Sequence, residues 1–318
     1  MRAYFLLAVL AASAGLQPLR SWDGQGHMMV AWVAFQHLDA ATRAKVDRLL
    51  RLHPDYNTWV AGIPDDEAHR DQRLQRAMML AATWPDEIKQ DPHYTNDGEN
   101  PNGRPAAAQN IGYADHLQHR YWHYIDVPLA VGGAQGRQPA SVNAQERIEL
   151  FLAALRTPPS PGDNTLAALQ SYDLVWLLHL VGDIHQPLHC TSRFTPALPA
   201  GDAGGNKVKV KPTRATHDTE LHSYWDRRLG ASNDPDTVAK AAGRLPSVSR
   251  ASASNRVSAW VRASWSLARN TVYCAPIGDA AGPYPLTAAY EQKALTTARK
   301  QVALAGARLA KVLAATLP

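Results

Sequence analysis

Residues Asp173–Cys190 read D-L-V-W-L-L-H-L-V-G-D-I-H-Q-P-L-H-C, and the fold turns on how this stretch is read. It is apolar enough for a buried helix, yet it carries His179, Asp183, His185 and His189. On a helix, His179 and Asp183 are four apart and project from one face, one turn above the other. Pro187 stops the helix, and His189 follows on the exit. A carboxylate among leucines needs a partner. A metal ion shared with His179 would supply one; so would the imidazole itself, in a plain buried hydrogen bond. For one isolated pair the hydrogen bond is the commoner outcome.

The pattern recurs, and recurrence favours metal. Thr219–Asp226 reads T-E-L-H-S-Y-W-D, with His222 and Asp226 again four apart. Upstream, W-H-Y-I-D-V-P carries His123 and Asp126, and T-W-P-D-E-I-K carries Asp86. A mixture of imidazole nitrogen and carboxylate oxygen suits zinc.

The chain has 318 residues, of which 45% are hydrophobic, enough for a substantial core. Leu and Ala dominate over β-branched residues, which points to a mostly α protein. The formal net charge of +5 permits a phosphate-bearing partner without demanding one. The sequence has no dense Lys/Arg block, which argues against a nucleic-acid binder of the basic-stripe kind. Met1–Ser21 reads as a secretory signal: Arg2, an apolar run over Ala3–Leu16 and a small residue at Ser21. The run is too short to span a membrane. The mature chain, 22–318, is therefore expected in a periplasm or outside the cell, as a monomer with no membrane association. In that compartment Cys190 and Cys274 can form a disulfide, or they remain two buried thiols.

Along the chain, a helical region over His27–Leu52 is interrupted near Asp39–Thr42, where L-D-A-A-T-R reads as a capped restart. Helices are expected over Gln72–Thr83, Ser141–Leu155, His222–Leu229, Asp236–Leu245, Val257–Thr271 and Leu286–Leu317. Asp91–Asp115, rich in Asn, Asp, Gly and Pro, reads as a long surface loop. Tyr121–Pro128 reads as a short extended segment. Asn206–Pro212 alternates Lys and Val, the signature of a half-exposed strand. Its Lys207, Lys209 and Lys211 are read as a solvated face. His185 is read as structural or as a support behind the ligands, and His37, His53, His69, His93, His116, His119 and His217 as surface residues.

Seven motifs in order resemble the secreted zinc-dependent single-strand-specific nucleases of the S1/P1 type. They are W-x-x-x-G-H from Trp22, W-x-D ending at Asp86, W-H-Y-I-D-V-P, H-L-V-G-D-I-H-Q-P-L-H, G-G-N ending at Asn206, L-H-S-Y-W-D, and A-G-x-R-L-A near the C-terminus. The resemblance implies a single multi-helix domain with a short β-hairpin, related to the zinc phospholipase C/nuclease fold, holding three zinc ions in a cleft. It implies that one zinc takes the freed amine and carbonyl of Trp22, with His27 and the bridging Asp183. A second takes Asp86, His123, His179 and Asp183, and a third takes His189, His222 and Asp226.

The same resemblance implies cleavage of P–O3′ bonds in single-stranded DNA and RNA, leaving 5′-phosphates, and action on 3′-mononucleotides. Lys89 stands where the family usually has an Arg on the phosphate, and loses that side chain's two-pronged geometry. Asp126 resembles a carboxylate that orients the attacking water. Asn206 resembles a residue near the nucleotide pocket, and Tyr124 is a candidate for stacking a base. Each has a plainer reading: surface lysine, loop cap, loop polar residue, core aromatic. The rival enzyme is a zinc phospholipase C, whose last ligand pair is usually His-x-x-x-Glu; here it is His222-x-x-x-Asp226. The rival outside enzymes is a secreted zinc-binding protein without turnover.

Overall fold

The regular elements follow from caps and apolar spacing. A computed structural model describes residues 22–99, 115–158, 160, 164–249 and 254–317. The Met1–Ser21 signal reading and residues 100–114 of the loop expected over Asp91–Asp115 lie outside these residues. The chain begins with α1 (Gly24–His37) and α2 (Ala40–Leu50). Asp39 separates them by accepting the Thr42 N–H at 2.8 Å, the expected cap. Next come α3 (Tyr56–Trp59), α4 (Arg70–Ala81) and the one-turn α5 (Trp84–Glu87), whose Pro85 sits in the first turn where its missing N–H costs nothing. A 3-10 turn over Arg120–His123 leads to strand β1 (Pro128–Ala130). Then come α6 (Ala144–Ala154), capped by Asn143 on the Glu146 N–H, and the long α7 (Asn164–Asp183).

A 3-10 turn over Pro187–Cys190 leads into β2 (Ser192–Phe194). The chain continues through β3 (Lys209–Lys211), β4 (Thr219–Glu220), α8 (Leu221–Asp226), α9 (Pro235–Ala242), α10 (Val257–Leu267), β5 (Tyr284–Pro285) and α11 (Ala288–Thr316). The architecture is a mostly α single domain. The strands make two small sheets. β1 and β2 pair in parallel, and β3 lies between antiparallel β4 and parallel β5.

Helix α7 is the axis of the packing. Every residue from Gln170 to Asp183 is buried, as an apolar-all-round helix must be. Helices α1, α2, α4, α6 and α11 pack around it. A second apolar cluster lies under the β3 sheet and includes Val208, Val210, Leu221, Trp225 and Tyr290.

Several expectations need correction. Cys190 and Cys274 are both free. Cys190 is buried in the main core, with its thiol on the Ile184 carbonyl, whereas Cys274 packs beside the second cluster with its thiol on the Thr271 carbonyl. The two thiols are engaged separately and no bridge joins them. Tyr121–Pro128 is not simply extended: its start is the 3-10 turn. Helix α7 ends at Asp183 rather than running on to Pro187, and that proline instead opens the following 3-10 turn. The strand expected over Asn206–Pro212 shortens to β3, and its neighbours are two strands rather than a lone hairpin partner.

His53 and His119 are buried rather than exposed. His53 stacks on Trp59 at 4.5 Å, and burial pushes its imidazole down to about 3. His185 is structural as read: Nδ1 donates to the Val181 carbonyl and Nε2 accepts from Arg308 at 2.7 Å.

Candidate metal centre

Close backbone approach brings the N-terminal segment onto α7. Trp22 is fully buried and folds back over the first turn of α1. A Cβ at Gly26 would lie 2.7 Å from the Trp22 Cβ, so only glycine fits there. The Asp23 N–H donates to the Asp226 carbonyl at 3.2 Å, which ties the start of the described chain to the end of α8. Gly182 gives the matching space on α7: a Cβ there would meet His27 Nδ1 at 2.7 Å. The His27 ring therefore lies flat against α7, stacked on His179 at 3.9 Å and 13°.

Asp183 stands between these rings. Its Oδ1 faces His27 Nε2 at 3.3 Å, and its Oδ2 faces His123 Nδ1 at 3.0 Å and His179 Nε2 at 3.2 Å. Asp86 Oδ1 approaches the same nitrogens, 3.8 Å from His179 and 3.9 Å from His123. A second group lies on the other side of His123. Here His189 Nε2 and His222 Nε2 are 3.1 Å apart, and Asp226 Oδ2 is 3.5 Å from His222. Helix α8 makes this possible by sending Leu221, Tyr224 and Trp225 into the second apolar cluster while His222 and Asp226 project elsewhere. The two turns that carry His123 and His189 are locked together. The Ile125 N–H donates to the His189 carbonyl, His189 Nδ1 donates to the His123 carbonyl at 2.8 Å, and β1 pairs with β2 just beyond.

The remaining ring nitrogens decide what these groups can hold. Nδ1 of His179, His189 and His222 lies 2.8, 2.8 and 2.7 Å from the carbonyls of Ala82, His123 and Gly204. A carbonyl only accepts, so each Nδ1 carries the hydrogen. Burial lowers His189 and His222, which therefore turn a bare Nε2 lone pair inward, whereas at His179 burial is outweighed by Asp183 and Asp86, which raise the ring. That is the outer-shell arrangement of a metal-binding imidazole. Two such lone pairs 3.1 Å apart at His189 and His222 repel unless a proton or a cation lies between them. Burial, reinforced by the neighbouring His189, pushes His222 down to about 3, which disfavours the proton. Among the described residues, three sets qualify as candidate metal groups: His27–Asp86–His179, His123–His179–Asp183 and His189–His222–Asp226.

Electrostatics separates the three carboxylates. Burial alone would raise Asp183, but the rings of His179, His123 and His27 outweigh it and hold the carboxyl well below the usual range. Burial opposes Asp86 likewise, and Lys89 with the histidines overcomes it. Asp226 is the reverse case: burial pushes it well above the usual range, and Gln186 offsets this only in part. Burial also lowers His123, to about 3, with Lys89 adding to the effect.

A cleft opens beside the groups, lined among others by Lys89, Glu99, Arg120, Tyr124, Asp126 and Asn206. Lys89 Nζ donates to Asp86 Oδ1 at 2.6 Å. The Tyr124 hydroxyl donates to the Glu99 carbonyl, and Asn206 Nδ2 donates to the Ala203 carbonyl. Asp126 is raised to about 6 by burial, with Asp202 adding and Lys207 opposing. Eight of the nine candidate metal-binding residues read from the sequence fall in these groups, Trp22 adjoins them through the Asp23–Asp226 contact, and the other four candidates line the cleft.

Sequence reading missed Gln186, Glu99 and Arg120. Gln186 lies inside the quoted H-Q-P-L-H motif, where its position between His185 and Pro187 was the available signal. Glu99 and Arg120 carry no local signal.

The profile of a family described as S1/P1 Nuclease matches residues 22–318. Nuclease S1 of Aspergillus oryzae is 25% identical over 331 aligned residues, spanning 96% of this chain and 95% of that protein. Endonuclease 1 of Arabidopsis thaliana is 24% identical over 237 residues, which cover 72% of this chain and 60% of the plant protein. Endonuclease 3 of the same plant is 23% identical, covering 70% and 59%.

Proposed function

We propose, from the premise that this chain belongs to the S1/P1 nuclease family, that it is a secreted trinuclear-zinc endonuclease. Its substrates would be single-stranded DNA and RNA, cut at P–O3′ to leave 5′-phosphates, together with 3′-mononucleotides. One ion would be held by Trp22, through a main-chain amine freed by cleavage after Ser21, with His27 and Asp183. A second would be held by Asp86, His123, His179 and Asp183, and a third by His189, His222 and Asp226. The observation that carries the reading is the inward-facing Nε2 pair of His189 and His222, each fixed from behind by a carbonyl.

Bound zinc would supply Lewis acidity and lower the pKa of water to about 7. The protein's part is to keep the ligands in the right protonation state. Backbone carbonyls fix the ring orientation of His179, His189 and His222 through their Nδ1–H groups, so that Nε2 of each faces the centre. Asp183, held well below the usual carboxylate range by the surrounding histidines, turns one oxygen to His27 and the other to His123 and His179, so a single carboxylate would serve two ions. Three aspartates against three divalent ions leave the centre net positive, which draws an anionic phosphodiester. Lys89 adds an ammonium at the cleft edge as the phosphate contact. The Tyr124 ring gives a stacking face for an unpaired base. The resemblance assigns Asp126 to orienting water, but its charged neighbours, Asp202 and Lys207, belong to the Asn206 side of the cleft. We therefore assign Asp126 to the substrate, with Tyr124 and Asn206.

The test is zinc content and N-terminal residue of the mature protein, with hydrolysis of single-stranded DNA, duplex DNA and phosphatidylcholine compared. Three zinc ions per chain, Trp22 first and a preference for the single strand are expected. Hydrolysis of the lipid alone, or zinc uptake without any turnover, would overturn the reading.

A further inference from the structure

One wall of the cleft is held by a buried charge cluster built from residues outside the candidate metal groups. His119 is fully buried at the head of the Arg120–His123 turn. Its Nε2 lies 2.6 Å from Asp115 Oδ2 and its Nδ1 lies 3.4 Å from Asp97 Oδ2, with both carboxylates almost completely enclosed. The ring is stacked on Trp122 at 3.6 Å and 3°. A neutral imidazole has one N–H and one lone pair, so it would turn that lone pair on one of the two aspartates. Only the imidazolium is attracted to both, hydrogen-bonded to Asp115 Oδ2 and ion-paired with Asp97 Oδ2 at 3.4 Å. Burial disfavours this charge, but Asp115 and Asp97 outweigh it and raise the ring above 6.5. The backbone at His119 adds a second sign of tethering: φ is +46°, a left-handed conformation that a side chain other than glycine adopts at a cost.

The cluster joins the two segments that form the wall. The Thr95 N–H donates to the His116 carbonyl and the Gln118 N–H to the Thr95 carbonyl. Two residues beyond Asp97, the Glu99 carbonyl accepts the Tyr124 hydroxyl and its carboxylate takes Arg120 Nη1 at 3.2 Å. Arg120 Nε in turn donates to Gln118 Oε1, and Gln118 Nε2 to the Lys89 carbonyl. Remove the charge that bridges Asp97 and Asp115, and this chain of contacts loses its anchor.

We propose that His119, gripped as an imidazolium between Asp97 and Asp115, is a positioning residue that sets the Glu99–Arg120–Tyr124 wall and thereby governs substrate affinity. The proposal rests on the cleft being the nucleic-acid site. The groups facing the ring are Asp97 and Asp115 themselves, Tyr121 beside Asp97, Tyr94 and Tyr172 near Asp115, and Arg147 over the Trp122 ring. A folded value raised above 6.5 means that the clamp is complete below that pH and is released as pH rises through the raised value.

The experiment uses the mature, zinc-loaded protein. In the parent, 15N-edited NMR of the histidine rings should show His119 doubly protonated at pH 6.5 and losing a proton only above it. KM for a single-stranded oligonucleotide should rise across the same inflection. In His119→Gln, KM should rise on the order of tenfold, as for a lost charge-assisted contact, with kcat and zinc content unchanged and the alkaline KM inflection gone. Asp115→Asn, which keeps the ring, should give a smaller rise in KM and an inflection moved to lower pH. A ring found neutral at pH 6.5 would overturn the proposal even if neither variant folds. So would a His119→Gln protein of lowered melting temperature and unchanged KM, or one that loses zinc. A parent that cleaves no nucleic acid sinks the function, whereas an active parent with an unmoved variant KM sinks only the clamp.

Discussion

Replacing Gln186 by Leu removes a single hydrogen bond to a single candidate ligand, so its effect can be worked from the structure. The amide is fully buried, and its orientation is not free: Oε1 accepts the Leu188 N–H at 2.6 Å, which turns Nε2 onto Asp226 Oδ1 at 2.7 Å. One oxygen of Asp226 is thereby satisfied and Oδ2 is left for an ion shared with His222 and His189. Without the amide, burial would drive Asp226 further toward its protonated form, which does not ligate. A hydrogen bond to a charged group is worth about 1.5–3 kcal/mol. At about 1.4 kcal/mol per decade, that is roughly a ten- to hundredfold loss of ion affinity, the usual cost of losing an outer-shell partner. The Leu188 N–H also loses its acceptor, but equally with and without metal, so that penalty cancels from the binding equilibrium. Zinc per chain is then counted after equilibration against a graded chelator. One ion of the proposed three should leave at a chelator activity roughly ten- to hundredfold lower than in the parent, and two should stay. If all three leave at parental chelator activity, Gln186 does not support that site and the argument fails.

Three other outcomes are expected. Asp183→Asn should lose two zinc ions together and nearly all activity, because both oxygens of Asp183 face ligand histidines; metal analysis still finding three would refute the bridging role. A mature chain that keeps one extra residue before Trp22 should lose the amine ligand and one ion, so undiminished activity and zinc content would count against it. Asp126, raised to about 6 from the ordinary 3.8, is neutral below that pH and an anion above it. As an acceptor for base N–H groups it should improve KM as pH rises through about 6, and Asp126→Asn should flatten that segment of the profile; an unchanged profile would remove Asp126 from the substrate site.

What the sequence disclosed, and what it hid, follows from the range of each signal. The pairs His179–Asp183 and His222–Asp226 were legible because helical period puts residues four apart on one face. The bearing of each pair toward the other, and toward Asp86 and His123, was not. It depends on α7 being wrapped on all sides and on β1 meeting β2, contacts between residues some 60 positions apart in the chain. The motif order supplied what periodicity could not. His119 and Asp97 were misjudged for the same reason: a histidine with no partner within four residues on a recognisable helix reads as surface, and its second carboxylate lies 22 residues upstream. The cysteine pair shows the opposite error, since counting cannot tell that Cys190 and Cys274 occupy separate clusters.

The parallel junction of β1 with β2 also bears on when the centre forms. Parallel strands cannot be joined by a tight turn; the whole of α6 and α7 must be made and returned before the first rung closes. A growing polypeptide that has reached Asp183 already holds five of the candidate metal-ligating side chains, yet the turn bearing His123 has nothing to dock against until His189 and β2 follow. The last carboxylate, Asp226, comes later still. Metal capture thus belongs to the closing stage of folding, after α8 has brought Asp226 and α11 has covered α1 and α7.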